Sequence, residues 1–137
     1  MAYRAVYNIL SSDATLTAVI PATRMYRTQA PQKPTQPYLV MRRDDVRPLY
    51  ALSGYNTLTR AEFTIIGVAS SIATIESVDA KIRSALRDKA PAAYGGVTID
   101  SLLWLGQSGD TIEVAVSGGE SYYYESYTDF AVWYHTS

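Results

Sequence analysis

Apolar and polar positions along this chain repeat with two periods, and the switches between them mark the elements. Tyr3, Val6, Tyr7 and Leu10 recur at i, i+3, i+4 and i+7, which predicts an amphipathic helix over residues 2–11. Ser12 and Asp13 interrupt it, and Asp13 is placed to N-cap a short second helix that buries Leu16, Val19 and Ile20 before Pro21 stops it. From Tyr38 the period drops to two. Tyr38, Val40 and Arg42 fall on one side of a strand and Leu39, Met41 and Arg43 on the other. A second strand divides Arg60, Glu62 and Thr64 from Ala61, Phe63 and Ile65, and the link with Ser53, Gly54 and Asn56 has hairpin chemistry.

Helical spacing returns in "SIATIESVDAKIRSALRDK", with Ile75, Val78, Ile82, Ala85 and Leu86 as one apolar stripe and Ser70 or Ser71 as N-cap. Glu76 and Asp79 sit early in it, and Lys81, Arg83, Arg87 and Lys89 late, which suits the helix dipole. Pro91 and Gly95–Gly96 end the helix, "VTIDSLLWL" reads as a third long strand, and the closing segment as a fourth. The order predicts an α+β fold in a single domain over residues 1–137: a mostly antiparallel four-stranded sheet with helices packed on one face. "RTQAPQKPTQP", with prolines at three-residue spacing, reads as a stiff extended connection; a groove ligand is the functional alternative.

Charge adds a second layer. All 12 Lys and Arg lie at or before Lys89, against seven acidic groups there; residues 90–137 hold the other six carboxylates, Asp100, Asp110, Glu113, Glu120, Glu125 and Asp129, and no cation. The net charge of −1 therefore hides two oppositely charged halves. Either the folded chain carries complementary faces, suited to head-to-tail contact with its own copies, or strands from both halves interleave and the charges mix. No window approaches the ~20 apolar residues of a membrane span, and the start lacks the apolar run of a signal peptide.

Few candidates for chemistry exist. Cysteine is absent and His135 is the one histidine, which leaves no second soft ligand for a transition metal. His135 also sits among the last three residues, a poor place for a catalytic base. In "RRDDVR", Asp44 and Asp45 are adjacent, so in a regular strand their carboxylates diverge; the cluster Arg42, Arg43, Asp44, Asp45 and Arg47 reads as a solvated strand end or an interface salt-bridge cluster. "GQSGD" and "SGGE" match no phosphate loop, and three carboxylates without a cation between Gly106 and Ser121 repel phosphate. A slightly acidic chain whose C-terminal tyrosines alternate with Glu125 and Asp129 is not a nucleic-acid reader. A hydrolase or small-ligand domain would need a convergent polar cluster, and the sequence supplies none.

"TRMYRTQAPQKPTQPYLVMRR", followed by "RAEFTIIGVAS", an "IESVDAKIRSAL" helix, a Val-Thr-Ile strand and "YTDFAVWYH", resembles the tail completion, or tail terminator, proteins of long-tailed bacteriophages, over nearly the whole chain. The resemblance rests on the order and spacing of these stretches. It implies a non-enzymatic virion protein without cofactors: a ring-shaped homo-oligomer, a hexamer, at the head-proximal end of the tail, assembled in the host cytoplasm. Its partners would be the tail tube protein and a head-tail connector or stopper protein, with DNA passing through the lumen without sequence-specific binding and no membrane. Another head-tail connector or neck component of similar fold is the alternative.

On those terms the Gly106–Ser121 segment, with Asp110, Glu113 and Glu120, fits a lumen loop or an interface arm. The closing segment has Tyr122, Tyr124, Phe130, Val132 and Tyr134 on one side and Tyr123, Tyr127, Ala131 and Trp133 on the other. One side should pack on the helices; the other, through Tyr123 and Trp133, would meet a neighbouring subunit unless the chain's own loops cover it. Candidate interface residues are therefore Arg42, Arg43, Asp44, Asp45, Arg47, Asp110, Glu113, Glu120, Tyr123 and Trp133.

Overall fold

The computed structural model describes residues 2–29, 37–51, 54–86, 92–94, 97–107, 112–115 and 122–136. The predicted N-terminal helix is α1 (Ala2–Ser11), and it buries Tyr3, Val6, Ile9 and Leu10. The Asp13 carboxylate accepts the Leu16 N–H at 2.9 Å and caps α2 (Ala14–Thr17), whose Leu16 is buried, as is Ile20 just beyond it. One 3-10 turn at Ala22–Arg24 follows Pro21. The Pro-rich connection lies largely outside the described residues.

The four expected long strands are present: β2 (Tyr38–Ala51), β3 (Gly54–Ala69), β5 (Val97–Gln107) and β7 (Tyr122–Thr136). Three short ones join them among the described residues, β1 (Met25–Arg27), β4 (Ala92–Tyr94) and β6 (Ile112–Ala115), so the sheet has seven strands where four were expected. It is not wholly antiparallel, because β1 pairs in parallel with β2. Strands of three or four residues carry too few alternations to declare themselves; each is held by the ladder of a longer neighbour. The order is β1-β2-β3-β7-β5-β4, and β6 pairs with β7 beyond the end of β5.

This order corrects one of the two charge readings. β1, β2 and β3 all come from the basic half of the chain and lie side by side; β7, β5 and β4 come from the acidic half and fill the other side. Within the sheet the halves meet only at β3 and β7 and their strands do not interleave, while α3 (Ile72–Leu86) from the basic half packs across the boundary on β7 and β5.

Alternation assigns the faces. Leu39, Met41, Ala61, Phe63, Ile65, Val97, Ile99, Leu102, Phe130 and Val132 join Tyr3, Leu10, Leu16 and the α3 (Ile72–Leu86) residues Val78, Ile82 and Leu86 in one core, so the helices cover one face, as predicted. Phe63 and Phe130 are register partners at its centre, and Tyr3 meets the Phe63 ring edge-on at 5.2 Å. Burying each such ring contributes about 1.5–3 kcal/mol. α3 starts at Ser71, whose hydroxyl accepts the Thr74 N–H at 3.2 Å, and it rests on β3 at Gly67. A Cβ there would lie 3.1 Å from Val78 and 3.3 Å from Ile75, so the close approach of helix to sheet depends on glycine.

One polar cluster interrupts the core. Asp79 is buried on α3; its Oδ1 accepts the hydroxyls of Thr128 at 2.6 Å and Ser126 at 3.2 Å, and its Oδ2 lies 3.3 Å from Arg83. Asp79 thus ties helix to strand rather than merely complementing the helix dipole.

Candidate assembly surface

The uncovered face of the sheet is a mosaic of paired charges and half-buried rings. Register places Arg47 opposite Arg60, Arg60 opposite Trp133 and Trp133 opposite Ser101, one row across four strands. Arg60 bonds Glu62 at 2.7 Å and lies 5.2 Å from the Trp133 ring centroid, a cation–π geometry. The Thr64 hydroxyl donates to Asp129 at 2.7 Å, and the Tyr127 hydroxyl donates to Glu125. Trp133, Leu58, Asp100, Ser101 and Leu103 line a shallow hollow of about 390 Å³ on this face.

His135 Nδ1 and Asp100 Oδ2 lie 2.7 Å apart. Strand pairing fixes His135, because its register partner is Thr98 on β5. The pair sits on the exposed sheet face rather than in an enclosed cleft, and among the described residues no three His, Cys, Asp or Glu side chains group as metal ligands. Among the described helices none is long and apolar enough to cross a membrane.

The predicted interface residues divide. Arg42, Arg43 and Arg47 are exposed on β2, but they do not share a face. Arg42 and Arg47 lie on the open face, whereas Arg43, register partner of Phe63, lies on the helix side with its guanidinium 5.5 Å from the Tyr3 ring. A bulge between Arg43 and Asp45 shifts the alternation by one residue, so the regular-strand assumption used for Asp44 and Asp45 fails there. Asp45 is the register partner of Glu62. Glu113 pairs with Tyr124 and Tyr123 with Val114 in the β6–β7 ladder; Asp110 and Glu120 lie outside the described residues.

Other surface residues were not singled out from the sequence. Arg60 links the β2 arginines to Trp133. Leu103, Trp104 and Leu105 on β5 are 51%, 37% and 44% exposed. At the opposite edge of the sheet, Tyr3, Arg4, Tyr7, Met25, Arg27 and Met41 line a groove of about 390 Å³. The run "LLWL" was the available signal for the first patch; nothing in the sequence places α1 beside β1 to announce the groove.

The family model described as Tail completion protein gp17 matches residues 4–115, from α1 to the end of β6. A chain from the solved structure of the virion of a native gene transfer agent particle is 20% identical, covers 96% of this chain and 92% of its own, and superposes with a TM-score of 0.70, which shows a shared fold. A second solved chain, 15% identical over 93% of this chain and 88% of its own, has a TM-score of 0.48. No curated protein matches.

Proposed function

Because the chain belongs to the tail completion protein gp17 family, we propose that it is a structural virion subunit that closes into a ring on the head-proximal end of a phage-type tail tube. The ring ends tube polymerisation and offers the surface to which the head connector or stopper joins. Six copies is the number that the family resemblance implies. DNA passes through the lumen without sequence-specific contacts, in keeping with a chain of net charge −1. The reaction is assembly alone, with no bond made or broken.

The observation that carries this reading is the separation of charge across one sheet. β1, β2 and β3 hold five arginines against three carboxylates, while β4, β5, β6 and β7 hold four carboxylates and neither lysine nor arginine. Opposite charges on opposite flanks favour contacts that repeat head to tail, and such contacts form rings when the rotation closes. Polymerising the cognate tube protein with and without this chain tests the function. Tubes of bounded length, blocked at one end, support it. Unchanged tube growth together with binding to the head connector would transfer the protein to a stopper or neck role.

A further inference from the structure

The two ends of the sheet are unlike and complementary. On the acidic side, β4 pairs with β5 only over Val97–Ile99, so past Ile99 no described strand flanks the outer edge of β5. That stretch carries the exposed Leu103, Trp104 and Leu105. An exposed, apolar edge strand associates with another chain unless something covers it. Trp104 is not left to wander: the Arg83 guanidinium lies 5.2 Å from its ring centroid, and Arg83 is itself held by Asp79.

At the basic end, α1 and β1 frame the groove described above. Its floor is two tyrosines and two methionines and its rim two arginines, with no carboxylate among the lining residues. The Arg27 guanidinium stacks 4.1 Å from the Tyr3 ring centroid. Methionine packs against many shapes, and the arginine rim favours a partner that brings negative charge with its apolar side chains.

We propose that the repeating contact of the assembly seats the β5 edge of one copy, through Leu103, Trp104 and Leu105, in the α1–β1 groove of the next copy. This rests on the ring reading above and assigns its interface. The occupant is a second copy because the complementary patch lies on the same chain and cannot reach the groove within one subunit: β1 and β5 stand at opposite sides of one sheet. Electrostatics favours this pairing. The β5 stretch past Ile99 carries one carboxylate, Asp100, and no cation of its own, with Arg83 of α3 beside Trp104, and the groove offers Arg4 and Arg27 to that carboxylate. A contact between two different patches is heterologous, the kind that generates rings.

The absence of cysteine makes the test direct. Arg4→Cys and Leu105→Cys are separate, exposed substitutions, one on each patch. Mixed and treated with a short bis-maleimide in the presence of tail tubes, the two variants should yield a covalent dimer that neither yields alone, and the double variant a ladder of larger species. Self-crosslinking of Leu105→Cys alone would overturn the proposal in favour of a two-fold contact. Rings visible by native mass spectrometry without the mixed crosslink would overturn this interface and leave the ring standing. A chain that stays monomeric on tubes and uncrosslinked would remove both.

Discussion

Asp79 on α3 and Thr128 on β7 meet across the helix–sheet boundary, the hydroxyl donating to the carboxylate at 2.6 Å inside the core. Hydrogen bonds to a charged, desolvated acceptor are among the strong ones. Ser126 adds a second donor, and Arg83 connects the cluster to Trp104 at the surface. The cluster thereby joins the packing of the core to the presentation of the β5 edge.

Asp79→Ala is expected to cost about 2–3 kcal/mol in urea denaturation, because two buried hydroxyls and a guanidinium lose their acceptor. Replacing the donors as well, with Asp79→Leu, Ser126→Ala and Thr128→Val together, should restore most of that loss. A triple variant no more stable than Asp79→Ala would show that the cluster contributes through packing instead.

Tyr3 supports the sheet through its hydroxyl oxygen, which accepts the Arg43 N–H at 2.7 Å. Tyr3→Phe keeps the ring contact with Phe63 and removes this acceptor together with the longer 3.5 Å contact of the same hydroxyl with Thr28, so a loss of about 1 kcal/mol is expected. A loss as large as that of Phe63→Ala, about 3–5 kcal/mol, would mean that the ring itself had shifted.

Gly106 has φ of +129° beside the bulge between Trp104 and Gly106, and a Cβ there would touch nothing within 4 Å. Gly106→Ala should therefore destabilise by about 1–3 kcal/mol through backbone strain alone. An unchanged denaturation midpoint would indicate that the bulge relaxes.

Self-association should weaken as salt rises, since exposed charges are screened beyond about 8–10 Å at ordinary ionic strength. Sedimentation at low and high salt measures this. Indifference to salt would leave apolar burial to hold the contact, and Trp133→Ala and Leu103→Asp then become the decisive variants.

The long elements were legible because each repeats its period several times. The stripe Ile75, Val78, Ile82 and Leu86 defined α3, and the split of Arg60 and Glu62 from Ala61 and Phe63 oriented β3. The same stripe holds Asp79, four residues after Ile75 and three before Ile82, on the apolar side. Ser126 and Thr128 likewise share the inward face with Phe130 and Val132. A buried acid facing two hydroxyls is a pairing between distant segments, and no local period reports it.

The candidate surface was less legible for the same reason. Arg42, Arg47 and Trp133 were singled out separately, and only the register through Arg60 puts Arg47 and Trp133 in one row. Arg43 keeps the side that it shares with Leu39 and Met41, and the bulge after it turns Arg47 to the open face, a change of phase that composition cannot announce. His135 lies near the end of the chain, yet the β5–β7 ladder runs through it. Strand order, which turns a charge imbalance along the chain into two charged flanks, is a property of topology alone.

Electron microscopy of purified tail tubes incubated with this protein addresses assembly on the tube without intermediate steps. The expected image is a ring of identical subunits seated on one end of each tube, with tube growth arrested there. Bare tube ends under saturating protein, or single subunits scattered along the tube wall, would contradict the account.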